Sequence, residues 1–388
     1  MKKKIIILGS TGSIGSTTLN IIKNDKKNFK IELLSTNKNI KKVFNQAVQF
    51  NVKNIIVSDY QSYIKAKEKY SKYKIKFHKS FSVIDSLFKK NEIFYTMVSV
   101  VGIDGLDPTL RSIKYSKNIA IINKESLICG WNLISEKLKR YKTNFFPVDS
   151  EHFSIFSLID KNQRDNIDTM YITASGGPFL NYSLARLSKA KLKDALNHPN
   201  WSMGKKISVD SSTMMNKVFE VIEAKKIFNF PYKKIEILIH PKSYIHALVK
   251  LKNGITKILL HDPDMKIPIH NTIYYLDNKT IKTKSLNYKI LNNLNFQKVD
   301  SKKFPLIKIL NILPKKNSLY ETALISINDY FVSMFLKKKI TYKELINSIN
   351  SYAHNKFFLK FRKKTPKNIH DIQKIRNYVY SKLNNSGI

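Results

Sequence analysis

Asp149 and Glu151, in Pro147-Val148-Asp149-Ser150-Glu151-His152, stand two residues apart directly after the apolar run 145–148. Carboxylates are hard oxygen ligands, and such a pair suits Mg²⁺ or Mn²⁺. In an extended segment residues i and i+2 point to the same side. The expectation is two ligands converging at the end of a strand, where open α/β sheets bind their ligands. The bland alternative is a solvated turn. A third acid lies downstream in Asn216-Lys217-Val218-Phe219-Glu220. On a helix Asn216 and Glu220 are i, i+4, and Lys217 and Glu220 are i, i+3, so all three share a face. One reading is a routine surface Lys–Glu pair. The other is a phosphate-binding Ser, Asn and Lys with Glu220 as a third metal ligand.

Other segments carry chemistry of their own. Gly9-Ser10-Thr11-Gly12-Ser13-Ile14-Gly15 follows a short apolar run and precedes a helical pattern. Glycines there let the backbone approach a pyrophosphate, which the free N–H groups of a helix start then bind. The alternative is a plain strand-to-helix turn. After the second apolar run come Ser35-Thr36-Asn37-Lys38-Asn39. An NAD enzyme would want an acid there for the ribose 2′-hydroxyl. Hydroxyls, amides and Lys38 suit a 2′-phosphate, so NADP is favoured. Asn123-Lys124-Glu125-Ser126 reads as a helix start capped by Asn123, or as a Lys holding an anionic or carbonyl oxygen. Ser175-Gly176-Gly177-Pro178 could form an anion nest. His198-Pro199-Asn200-Trp201-Ser202-Met203-Gly204 reads as a flap over a ligand, or as a loop packed by its tryptophan.

These groups need elements to position them. Through residue 148, β-branched runs at 5–8, 31–34, 54–57, 94–101, 119–122 and 145–148 alternate with helical patterns. That alternation predicts a parallel, doubly wound sheet. Afterwards 170–174, 235–240, 245–251 and 255–260 read as strands, with Asn253-Gly254 as a hairpin turn. A helix is expected over 212–228. These features give an α+β second domain. Residues 277–305 are polar and rich in Asn and Lys, a plausible linker, and the remainder is helical in pattern. The expected organisation is a Rossmann-like domain at 1–148, a catalytic α+β domain at 149–276, a linker at 277–305 and a helical domain at 306–388.

The chain of 388 residues is 43% hydrophobic, so it should be globular. Its formal net charge is +41. A polyanion-binding protein is one reading. However, only Arg111, Arg140, Arg164, Arg186, Arg362 and Arg376 are arginine, and the many lysines are scattered. Bidentate readers of bases and phosphates lean on Arg. A compositional drift toward Lys on the surface therefore explains the charge better, and no nucleic acid is expected. The single cysteine, Cys129, excludes a disulfide framework and reads as core filler. No apolar run is long enough to span a bilayer, and the run 5–8 is too short for a signal peptide. The expected location is cytoplasmic, with no membrane partner.

Taken in order, these segments resemble the 1-deoxy-D-xylulose 5-phosphate reductoisomerase family. The likeness rests on GSTGSIG at 9–15, NKESL at 123–127, PVDSEH at 147–152 and SGGPF at 175–179. It continues in HPNWSMGKKISVDSSTMMNK at 198–217 and PDMKIPI at 263–269. The resemblance implies an enzyme dependent on NADPH and on Mg²⁺ or Mn²⁺, acting in the non-mevalonate isoprenoid pathway. Asp149, Glu151 and Glu220 match the family's metal ligands. Lys124, Ser150, Ser175, His198, Ser211, Asn216 and Lys217 match its substrate contacts, which include Glu151 and Glu220. Lys124 joins the three acids as a catalytic residue. Thr11, Gly12, Ser13, Ile14, Asn37, Lys38, Asn39, Asn123, Glu125 and Gly204 fall at cofactor positions. A homodimer is implied as well. The chain departs from the family pattern at Asn37, Val218, His261, Lys266 and 326–330, none of which removes a ligand. The alternatives are another NADP-dependent sugar-phosphate or semialdehyde dehydrogenase, which needs no acid triad, and a basic nucleic-acid-binding protein on a degenerate dehydrogenase scaffold.

Overall fold

The computed structural model describes residues 1–385 apart from Asp160, Leu276 and Asn278, with the backbone alone at 161–163. The expected domain limits at 276 and 388 lie outside the described residues. Two compact units emerge. The first comprises Met1–Leu127, Asn132–Phe153 and Asp264–Lys282, and the second Ile128–Trp131, Ser154–Pro263 and Thr283–Ile388.

The first unit is built on a seven-stranded sheet in the order β4-β3-β2-β1-β5-β6-β7. Its strands are β1 (Lys3–Leu8), β2 (Phe29–Thr36), β3 (Asn54–Val57), β4 (Lys76–His78), β5 (Ile93–Val98), β6 (Ser116–Ile121) and β7 (Asn144–Pro147). All pairings are parallel. Ile5 to Leu8 are fully buried, as a strand covered on both faces requires. The strand order reverses at β1, which pairs with both β2 and β5. The glycine loop leaves the sheet at that reversal, where doubly wound sheets bind ligands.

Two expectations about this unit need correction. The strand predicted over 94–101 stops at Val98, because Ser99 turns inward and its hydroxyl donates to the carbonyls of Leu8 and Gly9 at 2.8 and 3.2 Å. Val101 is left exposed. Asp149 and Glu151 also do not lie on an extended segment. The helix Ser150–Leu158 starts at once, and the Asp149 carbonyl accepts from Phe153 N–H at 2.8 Å. Asp149 therefore precedes a helix whose first turn holds Glu151, and the i, i+2 strand geometry does not apply.

The second unit contains a five-stranded sheet, β11-β10-β8-β9-β12, formed by β8 (Ile167–Ala174), β9 (Ile235–Ile239), β10 (Ile245–Leu251), β11 (Thr256–Leu260) and β12 (Gln297–Lys298). β10 and β11 form the predicted antiparallel hairpin, with Gly254 at φ +89° in its turn. Within the polar stretch 277–305, β12 adds antiparallel to β9. The helix Met215–Phe228 packs over this sheet, its Val221, Ala224 and Phe228 sharing a core with Ile172, Met170 and Val249. The expected single helix over 212–228 is instead two, Lys205–Ser212 and Met215–Phe228. Met214 breaks them with φ +62°, a left-handed conformation that costs a non-glycine residue about 1 kcal/mol or more. Burial of its side chain with Ala174 and Phe304 opposes that cost. The C-terminal portion is helical as expected, with Leu319–Leu336, Tyr342–Ala353 and Ile369–Asn384. Capping boxes at Ser318 and Thr341 start the first two.

Candidate active site

The glycine loop has the geometry its sequence promised. Gly9 sits at φ +84°, and a Cβ there would lie 2.6 Å from the Ser99 carbonyl. At Gly15 a Cβ would lie 2.5 Å from the Gly9 carbonyl, so helix and loop meet backbone to backbone. Gly12 caps the helix Ser13–Lys23. Thr11 shares a 2.8 Å hydroxyl–hydroxyl bond with Thr36, joining the loop to the end of β2. Lys42 was not anticipated: its ammonium donates to the Thr11 carbonyl at 2.8 Å, which puts a second cation beside the loop. Asn39 caps the next helix, accepting from Lys42 N–H at 3.1 Å, and Asn37 donates to Ser58 at 3.0 Å. Lys38 is largely exposed, 3.9 Å from Asp59. The Asp59 carboxyl is held below its usual range mainly by hydrogen bonds from Ser62.

Asn123 caps the helix Lys124–Tyr141 by accepting from Ser126 N–H at 2.8 Å, and its amide donates to the Gly102 carbonyl at 2.7 Å. The helix-start reading holds, and the capped start delivers Lys124 to Asp149. Lys124 Nζ lies 2.9 Å from Asp149 Oδ2, with side chains 8% and 12% exposed. Burial alone would raise the Asp149 carboxyl; the ammonium of Lys124, with His152 and Glu151, holds it well below the usual carboxylate range. His152 is fully buried, its Nδ1 3.5 Å from Asp149 Oδ1. Sequence reasoning assigned it no role; its place three residues after Asp149 at a helix start was the available signal. Ser150 donates to Glu151 Oε2 at 2.6 Å. Glu125, in the first turn of the helix Lys124–Tyr141, is also buried.

In the second unit, β8 ends in the nest. Gly176 and Gly177 have φ of +83° and +66°, and Gly177 N–H donates to Ser175 Oγ at 3.0 Å. A Cβ at Gly177 would lie 2.8 Å from the Ser211 carbonyl, so the nest and the end of the helix Lys205–Ser212 touch by backbone. Ser175 Oγ is 3.0 Å from His198 Nε2. His198 Nδ1 accepts from the N–H groups of Asn200 and Trp201 at 3.2 and 3.0 Å, which fixes Nε2 as the nitrogen facing Ser175. Burial pushes the imidazole down to about 4, and the Lys217 ammonium adds to that. The 198–204 loop is anchored by Asn200, which donates to the Pro241 carbonyl at 2.6 Å, while the Trp201 ring lies 6.2 Å from that of His246. Gly204 caps the helix Lys205–Ser212.

Asn216, Lys217 and Glu220 share a face as predicted. The Asn216 amide donates to Glu220 Oε1 at 2.5 Å, Lys217 pairs with Glu220 Oε2, and the same ammonium donates to the Thr173 carbonyl at 2.5 Å. Lys217 and Glu220 are 5% and 1% exposed, so the surface-pair reading is wrong. A buried ion pair is in itself weak evidence for stability. Asp149 and Glu151 belong to the first unit and Glu220 to the second.

Three family profiles match the chain: 1-deoxy-D-xylulose 5-phosphate reductoisomerase at residues 5–130, its C-terminal domain at 145–228, and a second C-terminal domain at 260–380. The reductoisomerase of Pelagibacter ubique is 54% identical over 387 residues, all of both chains, and that of Clostridium tetani is 37% identical over 388 residues, 98% of this chain and 100% of its own. Among solved structures, the Zymomonas mobilis reductoisomerase in complex with NADPH superposes with a TM-score of 0.86 at 30% identity, covering 98% of this chain and 97% of the other. A reductoisomerase in complex with NADPH, fosmidomycin and magnesium reaches 0.89 at 28% identity, covering 97% and 96%. Loop, nest and buried acids thus stand in a chain whose whole length is accounted for by one set of relatives, and the chain belongs to the 1-deoxy-D-xylulose 5-phosphate reductoisomerase family.

Proposed function

We propose that this chain catalyses the NADPH- and divalent-metal-dependent isomerisation and reduction of 1-deoxy-D-xylulose 5-phosphate to 2-C-methyl-D-erythritol 4-phosphate, a step of non-mevalonate isoprenoid precursor biosynthesis. The observation that carries this reading is the full-length 54% identity to the Pelagibacter ubique reductoisomerase.

The residues present fit the groups the reaction needs. The crowded backbone at Gly9, with φ +84°, and at Gly15 leaves a side-chain-free surface at the switch point of the sheet, which suits a pyrophosphate. Thr11, Gly12, Ser13 and Ile14 would line it. Asn37, Lys38 and Asn39, with Lys42 nearby, would take the 2′-phosphate of NADPH, and Asn123, Glu125 and Gly204 would complete that site. For the metal, the donor set is hard oxygen: among the described residues the buried Asp149 Oδ1 accepts no hydrogen bond, with His152 Nδ1 standing off at 3.5 Å, and Lys124 holds the carboxyl ionised. Asp149, Glu151 and Glu220 are the proposed ligands for Mg²⁺ or Mn²⁺. A divalent ion there supplies Lewis-acid polarisation of the substrate's vicinal carbonyl and hydroxyl oxygens, and NADPH supplies the hydride. Lys124 keeps Asp149 charged and offers an ammonium to the reacting oxygens, with Ser150 beside them. Ser175, Ser211, Asn216 and Lys217 hold the phosphate, so that binding energy is drawn from a part of the substrate remote from the reacting carbons. His198, neutral and fixed through Nδ1, orients Ser175 and contacts the substrate.

In this reading residues 1–148 bind NADPH, 149–276 form the catalytic and metal-binding domain, 277–305 link, and 306–388 form the helical domain. The enzyme works as a cytoplasmic homodimer. Among the described residues no helix is long and apolar enough to cross a membrane. The test is product identification: incubation with substrate, Mg²⁺ and NADPH should yield 2-C-methyl-D-erythritol 4-phosphate with one NADPH oxidised per product. NADPH oxidation that yields a different product would assign the chain to another sugar-phosphate dehydrogenase.

A further inference from the structure

The residues flanking Ser211 are both held from the C-terminal helices. Asp210 is 2% exposed and Asn328, on the helix Leu319–Leu336, is 0% exposed; the Asn328 amide donates to Asp210 Oδ1 at 2.8 Å. On the other side of Ser211, the buried Tyr342 phenol donates to the Ser212 carbonyl at 2.7 Å. Lys206 closes the group, with its ammonium 3.2 Å from Asp210 Oδ2 and 3.0 Å from Asp329 Oδ1. Seven residues before Asn328, on the same face of its helix, Glu321 pairs with Lys226 at 2.9 Å, both essentially buried. One face of one helix thus grips the helix whose last turn holds Ser211 and the helix that carries Asn216, Lys217 and Glu220.

We propose that Asn328 is a positioning residue for the anion-binding end of the substrate site, acting through Asp210 to set the last turn of the helix Lys205–Ser212 and hence the placement of Ser211. A buried carboxylate and a buried amide contribute little to stability in themselves, because desolvation offsets most of what their bond returns. What the bond does fix is direction. Ser211 packs by its carbonyl against Gly177, where even a methyl group has no room. Rotation of that last turn therefore moves Ser211 relative to the Ser175 nest, and the two halves of the phosphate site lose register. A misplacement of about 1 Å in a binding group can cost up to about a hundredfold.

This inference rests on the proposed substrate, and the experiment separates the two. Three variants are compared with the wild-type enzyme: Asn328→Ala, Asn328→Asp, and the exchange Asp210→Asn with Asn328→Asp. The single variants should raise KM for 1-deoxy-D-xylulose 5-phosphate by about tenfold or more, while KM for NADPH stays within about twofold. The exchange restores an Asp–Asn bond with donor and acceptor swapped, leaves Lys206 its partner Asp329, and should return KM to within about threefold of wild type. Wild-type turnover reports on the function itself. Should turnover be absent, binding of inorganic phosphate by calorimetry carries the same comparison. An unchanged substrate KM in the single variants overturns the proposal. So does an exchange no better than Asn328→Asp, an equal loss toward substrate and NADPH, or a failure of all three variants to fold.

Discussion

Replacing Lys124 with Gln removes the cation from a buried pair and leaves an amide of similar length. The ammonium and Asp149 Oδ2 are 2.9 Å apart, and both side chains are nearly excluded from water. Removing one partner of such a pair costs about 3–5 kcal/mol, because the remaining charge stays buried without compensation. His152 remains 3.5 Å from the other carboxylate oxygen, so the lower end, about 3 kcal/mol, is expected. The pH dependence follows from the direction of the Asp149 shift. A carboxyl depressed in the folded state contributes stability that is fully present above its unfolded value of about 4 and is lost as pH falls through the folded value. Wild type and variant should therefore differ in full at pH 7, begin to converge only as pH falls below about 4, and meet below the depressed folded value. Urea unfolding across that range measures both. A midpoint unchanged at pH 7 would refute the pairing argument. A deficit that persists undiminished in acid would assign it to packing instead. Metal binding adds a second check: Lys124 repels a divalent cation, so the variant should bind Mn²⁺ no more weakly than wild type, while turnover falls about a hundredfold or more. Loss of Mn²⁺ affinity would contradict that account.

Three further outcomes are expected. NADPH should be used much more efficiently than NADH, and Lys38→Glu should narrow the gap; equal use by the wild-type enzyme would remove the 2′-phosphate assignment. Substrate should shift Trp201 fluorescence and protect the 198–204 loop from protease in a Trp131→Phe background, and an unchanged signal at saturation would reduce the loop to packing. Glu220→Gln should weaken Mn²⁺ binding and cut turnover by orders of magnitude with NADPH affinity little changed, since the glycine loop is untouched; near-normal turnover would return Glu220 to a purely structural partnership with Lys217.

The parallel sheet was legible because its strands are continuous apolar runs between helical patterns, and six of its seven were predicted near their observed places. β4 escaped because Lys76, Phe77 and His78 make a short, partly exposed edge that needs no apolar signature. The glycine loop, the nest and the hairpin turn were readable since each needs residues without a Cβ or with a special turn conformation. Local conformation around the acids was not. Periodicity does not say where a helix starts, and Asp149 sits at a start. Nor does it reveal a left-handed break at Met214, which tertiary burial sustains. The contacts of His152, Lys42 and Asn328 join residues through folding, so only the structure could supply them. Spacing alone also left Lys217 and Glu220 on an unspecified face, and burial decided it.

In the proposed chemistry one site isomerises and reduces its substrate with a divalent ion held by carboxylates. Its most direct test is NADPH oxidation in the presence of 1-deoxy-D-xylulose 5-phosphate, measured before EDTA, after EDTA, and after Mg²⁺ or Mn²⁺ is returned in excess. Substrate-dependent oxidation that EDTA abolishes and added metal restores is the expected result. Oxidation that continues unchanged in EDTA, or none in any of the three conditions, would contradict it.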